Sequence, residues 1–494
     1  MSIGRGGTYL PLIMKNIFRL SKIKRKKLFG TAGIRGLTNL EITPLLALKI
    51  SQVFGDYLGN QGSVALGYDT RYGAQMLAHS ATSGLMSAGL DVIDCGCIPT
   101  GGLSSFITQS GLKGGVMLTG SHMPYNLIGI ILIMSDGSYL SEEIARELED
   151  RYYNYDSRRV TLPLKNIGSY QPAEKPLELY KKFLMSKINP DLIRIKKYKV
   201  LIDPGNGTAI FVLPQLLQSL GCPVVFINEE PKPQPDRPTE PRANNLSPAV
   251  TRLKEHHCDL GIATDIDADR VLFIDHNGNV LSEDLTGAIF ARDIIQKNKN
   301  NSLIVTPINS SGLIEHTCQK FNARLEYCGV GQPATLQVVK QLKANFSYEE
   351  SGKYYFSEEV FWADGILAGL KLLELLSREN KTLAELAGEF PRFYQVKHTL
   401  PCENKLKNKI MSEVKTIWEK EALTGKVKDI TIDGLKRIYE DKAWLLIRQS
   451  GTEPLIRVYS DALSPSRAEE LVQSGEKMVK HSMDIIQMRS LDTK

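Results

Sequence analysis

No apolar run in the chain approaches the roughly 20 residues that a membrane-spanning helix needs, so no membrane partner is expected. The first apolar patch, residues 9–14, is too short for a signal-peptide core, and no small-residue cleavage site follows it. Cysteine is sparse as well. Its seven copies are scattered, with only Cys95 and Cys97 close together, and this odd count without a framework excludes a disulfide scaffold. Reduced thiols in a cytoplasmic protein are the expectation, with Cys95 and Cys97 inert. The stretch Gly30 to Gly36 lacks the G-x-x-x-x-G-K-[ST] pattern, which excludes a P-loop there. Charge of one sign is also scarce. The net value of +6 is small for 494 residues, and much of it sits in Lys22, Lys24, Arg25, Lys26 and Lys27. Residues 1–27 read as a solvated basic arm, and no nucleic-acid partner is expected.

What is present is an ordinary globular composition, 42% hydrophobic and 23% charged, on a chain too long for one core. Apolar, β-branched runs recur at 63–67, 116–118, 199–202, 224–227, 271–274 and 302–305. Between them lie stretches such as 43–58 and 74–88, with apolar residues at three- and four-residue spacing. Strand–helix alternation predicts an α/β fold of mixed, largely parallel sheets covered by helices. Composition breaks near 170, at Asn277-Gly278 and at 391–401 divide the chain into 28–168, 169–278, 279–392 and 393–494, the last reading as α+β.

The segment Asp265-Ile266-Asp267-Ala268-Asp269-Arg270 carries the strongest chemistry. Three carboxylates at alternate positions repel one another unless a cation sits among them, and hard oxygen ligands suit Mg²⁺. In an extended segment, alternation would turn all three to one side. Arg270 adds a donor fork suited to a phosphate. As an isolated pattern the segment reads equally as an acidic turn at a strand end.

Three further segments bear on that choice. Thr119-Gly120-Ser121-His122-Met123-Pro124 follows an apolar run and places a serine in a rigid exposed turn. Taken alone, its Ser-His pair reads as loop filler. Tyr348-Glu349-Glu350-Ser351-Gly352-Lys353 offers carboxylates to sugar hydroxyls, or is a plain polar turn. In Arg448-Gln449-Ser450-Gly451-Thr452-Glu453-Pro454-Leu455-Ile456-Arg457, a tight Ser-Gly-Thr turn is flanked by two arginines, the makings of a phosphate nest.

Together with Phe29-Gly30-Thr31-Ala32-Gly33-Ile34-Arg35-Gly36, these segments in this order resemble the α-D-phosphohexomutase superfamily over residues 28–460. That superfamily holds phosphoglucomutases, phosphomannomutases and phosphoglucosamine mutases, and the T-G-S-H-x-P loop is similar to archaeal members. The resemblance implies three similar α/β domains and a C-terminal α+β domain around a central cleft. It implies that Ser121 carries the exchanged phosphoryl group and completes a Mg²⁺ shell begun by Asp265, Asp267 and Asp269. Arg35 and His122 would then attend the transfer, with Arg270 beside the metal loop. Glu349 and Ser351 would hold sugar hydroxyls, and Arg448, Ser450, Gly451, Thr452 and Arg457 the phosphate not being transferred. The implied activity interconverts hexose 1- and 6-phosphates of mannose or glucose through phosphoserine and a hexose 1,6-bisphosphate, which is both intermediate and activator.

The sequence departs from the family pattern in several places. Ile131 stands where the family has a lysine after the serine loop, and Met123 where it has asparagine. Lys353 occupies a histidine position in the sugar loop, which suggests a cation that partly replaces the missing lysine. Gly329-Val330-Gly331-Gln332-Pro333 lacks the usual basic residue, leaving recognition there to backbone and Gln332. Two alternatives therefore stand: a phosphoglucosamine mutase, and a divergent protein that binds sugar phosphates without interconverting them. A haloacid-type phosphatase would share the aspartates and Mg²⁺ but not a serine nucleophile.

Overall fold

The computed structural model describes residues 27–30, 32–155, 162–298, 301–421, 425–451 and 453–491. Lys22, Lys24, Arg25 and Lys26 of the basic arm, together with Thr31 and Thr452, lie outside the described residues.

The described residues form four sheets of seven, four, four and five strands. In the first, strands Ser63–Tyr68, Asp91–Cys97, Gly114–Leu118 and Tyr170–Pro172 run parallel, and Leu127–Met134 folds back antiparallel beside Gly114–Leu118. The second repeats the plan, with Val200–Asp203, Val224–Phe226 and Leu260–Thr264 parallel and Val271–Asp275 antiparallel to the last. The third does so again, with Leu303–Pro307, Arg324–Cys328 and Phe346–Glu349 parallel and Lys353–Tyr355 antiparallel. In every case the parallel strand that turns into the hairpin ends in a loop at its carboxyl end. Those loops carry Ser121, the aspartates 265–269, and Ser351, with Glu349 at the strand end beside it. The carboxyl edge of a parallel sheet is where such folds place ligands. The internal repeat is thus a repeat of topology, one that the residues do not display.

The fourth sheet is antiparallel throughout, and its hairpin Trp444–Gln449 to Leu455–Ala462 carries the Ser450-Gly451 turn. Helices Lys407–Lys420 and Pro465–Leu491 pack against it. This is the α+β unit expected after three α/β units.

The helices begin where the local chemistry lets them. Thr43, Ser141 and Ser282 each accept a backbone N–H of the first turn. The second and third units share one core, because helix Glu283–Lys297 is buried almost along its whole length. At its centre the Phe290 ring meets Phe273 of the second sheet at 6.3 Å, Phe346 and Tyr354 of the third at 6.2 and 5.3 Å, and Phe356, just past the third sheet's last strand, at 5.2 Å. These edge-on packings join two sheets through one side chain. Replacing Phe290 by Ala is expected to cost about 3–5 kcal/mol. In denaturant titration the second and third units should then lose structure together, and separate loss of one unit would contradict a shared core.

Candidate active site

The metal loop is a tight turn and not an extended segment. Ala268 adopts a left-handed φ of 59°, and its N–H donates to the Asp265 carbonyl at 3.2 Å. The convergence expected from strand alternation comes instead from this turn, which brings oxygens of Asp265, Asp267 and Asp269 within 4.8 Å of one another. All three are buried. Its own unit, through Thr208, and the first and third units, through Thr100 and Gly365, hold the loop by its carbonyls. Thr208 N–H donates to Ile266 O at 2.7 Å, Thr100 N–H to Asp267 O at 3.0 Å and Gly365 N–H to Ala268 O at 2.9 Å.

Ser121 lies against this cluster, its Oγ donating to Asp265 Oδ2 at 2.9 Å across 144 residues of sequence. Its φ of 47° is left-handed, an unusual conformation for a residue with a Cβ and one that clusters at functional sites. His122 Nδ1 lies 3.4 Å from the same Oγ. Burial, then the positive charges of Arg270, Arg35, Lys353 and Arg71, hold the His122 imidazole far below its usual range, so it is neutral.

Lys353 is buried rather than solvated. Its Nζ donates to Asp269 Oδ2 at 2.6 Å and to Gln332 Oε1 at 2.9 Å. Gln332 therefore serves the lysine. Ile131, at the position of the missing lysine, is 1% exposed and packs in the core with Leu103, Met117 and Tyr139. Arg270 donates from Nη1 to Glu240 at 2.6 Å, while its Nε stands 3.8 Å from Asp265. Arg35, on strand Gly33–Leu37, is half-buried with an unpartnered Nε. Burial and the adjacent Arg270 pull its pKa down, against the opposing pull of Asp269 and Asp267.

Electrostatics separate the three carboxylates. Burial, then Asp267 and Asp269, push Asp265 well above the ordinary range. Burial and Asp269 push Asp267 up to about 6. Burial also pushes on Asp269, but Lys353 and Arg270 outweigh it and hold that group below its usual value. Oδ1 of Asp267 and Oδ1 of Asp269 are buried with no hydrogen-bond partner. Orphaned, mutually repelling oxygen ligands of this kind fit a hard divalent cation such as Mg²⁺.

The sugar loop adjoins the cluster. Glu349 accepts from the Tyr355 hydroxyl at 2.6 Å, and Ser351 Oγ is buried without a partner. The arginines of the phosphate loop already hold carboxylates, Arg448 with Asp433 at 2.8 Å and Arg457 with Glu453 at 2.6 Å. Ser450 Oγ accepts from Glu453 N–H at 3.2 Å, and Gly451 is exposed. Asp433 also accepts from Val330 N–H at 3.0 Å, and Lys397 donates to Glu350 at 2.9 Å. These two contacts attach the fourth unit to the third beside the sugar loop.

Sequence reasoning missed several residues. Thr100 Oγ1 donates to Asp267 Oδ2 at 2.8 Å, and the Tyr139 hydroxyl to Asp269 Oδ2 at 3.2 Å. Thr239, in the proline-rich loop of the second unit, donates to the Met123 carbonyl at 2.7 Å. Asp69 and Arg71 hold the serine loop from behind. The one available signal was that Asp69-Thr70-Arg71 directly follows a buried strand.

Comparison with known proteins identifies the family. Models of the phosphoglucomutase/phosphomannomutase family match domain I over residues 26–159, domain II over 178–278, domain III over 282–394 and the C-terminal domain over 400–475. A phosphoglucomutase/phosphomannomutase of Thermococcus kodakarensis is 34% identical over 462 residues, 92% of this chain and 99% of that protein. A phosphoglucosamine/phosphogalactosamine mutase of Sulfurisphaera tokodaii is 35% identical over 458 residues, 92% of this chain and 99% of that protein. A phosphoglucomutase/phosphomannomutase family protein of Burkholderia thailandensis shares the fold at a TM-score of 0.81 and 22% identity, over 92% of this chain and 98% of that one. By the four domain models in order and by relatives matched along nearly their full length, the chain belongs to the phosphoglucomutase/phosphomannomutase family of phosphohexomutases.

Proposed function

We propose that this mutase interconverts the 1- and 6-phosphates of a neutral hexose, glucose or mannose, with Ser121 as phosphoryl carrier and hexose 1,6-bisphosphate as bound intermediate. The observation that carries the reading is the 2.9 Å contact between Ser121 Oγ and Asp265, at the lip of a buried carboxylate cluster. Asp265, Asp267, Asp269 and a phosphate on Ser121 would hold Mg²⁺, which supplies neutralising charge at the transferring phosphoryl group.

In the first half-reaction the bond from Ser121 Oγ to phosphorus breaks and one from the sugar hydroxyl to phosphorus forms, the hydroxyl giving up a proton and Oγ gaining one. In the second, the bond from the other phosphate to its sugar oxygen breaks, the Oγ–phosphorus bond forms again, and the proton moves back from Oγ to the sugar oxygen. His122, with Nδ1 3.4 Å from Oγ, stands beside the oxygen at which that proton is exchanged. Arg35 and Arg270 flank the site as fixed cations, and such transfers depend chiefly on positioning and electrostatic stabilisation. Arg448, Ser450, Gly451, Thr452 and Arg457 would hold the second phosphate in either orientation of the bisphosphate, displacing Asp433 and Glu453 from the two arginines.

Lys353 acts as a cation, since its Nζ is held by Asp269. It adds positive charge beside the metal loop that the family draws from the lysine absent at Ile131.

Glu349 and Ser351 favour neutral hydroxyls. A second reading is supported by the Sulfurisphaera tokodaii relative, named for amino sugars: the Glu349 carboxylate could accept an ammonium at C2. Neither sugar class calls for a membrane or nucleic-acid partner, and a cytoplasmic location fits both.

Turnover of glucose 1-phosphate, mannose 1-phosphate and glucosamine 1-phosphate, with Mg²⁺ and a trace of the 1,6-bisphosphate, tests this directly. A neutral hexose phosphate should be fastest, and Ser121→Ala should abolish turnover. Fastest turnover of glucosamine 1-phosphate would favour the second reading, and no turnover by wild type would make the chain a binder or an enzyme for a sugar outside these three. For Lys353→Ala, kcat is expected to fall by about 10²–10³. Turnover at the wild-type rate would remove Lys353 from the mechanism.

A further inference from the structure

We propose that Asp69 and Arg71 are the positioning pair of the serine loop, holding Ser121 in the strained conformation that delivers its Oγ to the metal cluster. The inference rests on the phosphoserine reaction proposed above. Both side chains are fully buried, 3.6 Å apart between Arg71 Nε and Asp69 Oδ2. Their contacts with the loop are numerous and divide by chemistry.

Arg71 takes the loop's carbonyls. Its Nη1 donates to Pro124 O at 2.9 Å and Leu127 O at 2.6 Å, and its Nη2 to Met123 O at 2.6 Å and to Ser121 O. Asp69 takes the loop's donors. Its Oδ2 accepts from Thr119 Oγ1 at 2.7 Å and from Gly120 N–H at 3.0 Å. Thr119 Oγ1 in turn accepts from Ser121 N–H at 2.8 Å, completing a relay from the carboxylate to the backbone of Ser121.

The consequence is directional. With the Ser121 carbonyl drawn inward by Arg71 and its N–H held inward by Thr119, the side chain projects to the opposite side, where Asp265 meets it. A left-handed φ on serine needs such surroundings to persist. Gly120 is required by the same arrangement, since a Cβ there would lie 1.8 Å from Arg71 Nη1. A planar fork with five donors can span several carbonyls at once, and an ammonium cannot. Across the loop, Thr239 donates to the same Met123 carbonyl, so the loop is held from two sides.

Neither residue touches substrate, so the effect should appear in the transfer step and not in sugar binding. The test uses full-length Arg71→Lys and Thr119→Val. Phosphoryl transfer from glucose 1,6-bisphosphate to Ser121 would be followed by intact mass in single turnover, beside steady-state kcat and KM and a thermal melt. The expected result is a fall of about 100-fold in the transfer rate and in kcat, the scale of a misplaced reacting group. KM should stay within about threefold, since binding of the sugar phosphate is untouched. If Arg71→Lys does not fold, Thr119→Val, which removes only the relay hydroxyl, carries the same expectation. Wild-type transfer rates in a folded Thr119→Val protein would overturn the positioning role, as would a loss that merely follows the folded fraction. Absence of phosphoserine in the wild type would instead overturn the proposed reaction itself.

Discussion

Mutual repulsion among Asp265, Asp267 and Asp269 is the constraint around which the cleft is organised. At separations below 5 Å and an effective dielectric near 20, each like-charge pair costs about 4 kcal/mol. A hydrogen bond returns only about 1 kcal/mol net, so donors alone cannot balance three buried carboxylates. Cations must, and the fold draws them from different units: Arg35 and Arg71 from the first, Arg270 from the loop itself and Lys353 from the third. Thr100 and Tyr139 add neutral donors from the first unit. The resulting asymmetry follows from who stands where. Lys353 holds Asp269 below its usual range, whereas burial and the neighbouring carboxylates push Asp265 and Asp267 up.

The repeated hairpin explains how three chain segments so far apart reach one place. In each α/β unit the last parallel strand turns back antiparallel, and its loop falls on the carboxyl edge of the sheet. Two of those loops are also braced alike. Asp69 follows a parallel strand of the first sheet and works with Arg71 on the adjoining serine loop. Asp203 ends a parallel strand of the second sheet and pairs with Arg237, whose Nη2 donates to Thr264 O, one residue before Asp265, at 2.7 Å. An aspartate from the neighbouring strand and an arginine on the loop's carbonyls give each loop a fixed backbone, which loops on a surface otherwise lack. Precision at the site thus comes from the strands behind it.

The departures from the family pattern also have a place in this arrangement. Ile131 packs in an apolar cluster with Leu103, Met117 and Tyr139. Lys353 enters from the opposite unit, reaches Asp269 and keeps its second hydrogen bond to Gln332. The uncharged Gly329–Pro333 segment is consistent with that, because its glutamine is occupied in orienting the lysine. That segment donates from Val330 N–H to Asp433, which also accepts from Arg448, so it is tied to the fourth unit.

The sequence by itself determined whatever is local. Alternating apolar runs specified strands and helices, because burial periodicity is a property of a few consecutive residues. The motifs D-I-D-A-D-R, T-G-S-H-M-P and E-E-S-G-K were legible because each places its functional groups within one turn of chain. Even there the backbone shape was misjudged: the aspartates converge through a left-handed Ala268 and not through strand alternation, since a turn and an extended segment can carry the same residues. Only the tertiary structure decided the partners. Ser121 meets Asp265 across 144 residues, Lys353 meets Asp269 across 84, and Thr100 meets Asp267 across 167. Arg71 was silent in the sequence because an arginine on a surface loop and one buried under four carbonyls look alike until the strands are ordered. Charge balance in a buried cleft is a property of distances, and the fold alone sets those distances.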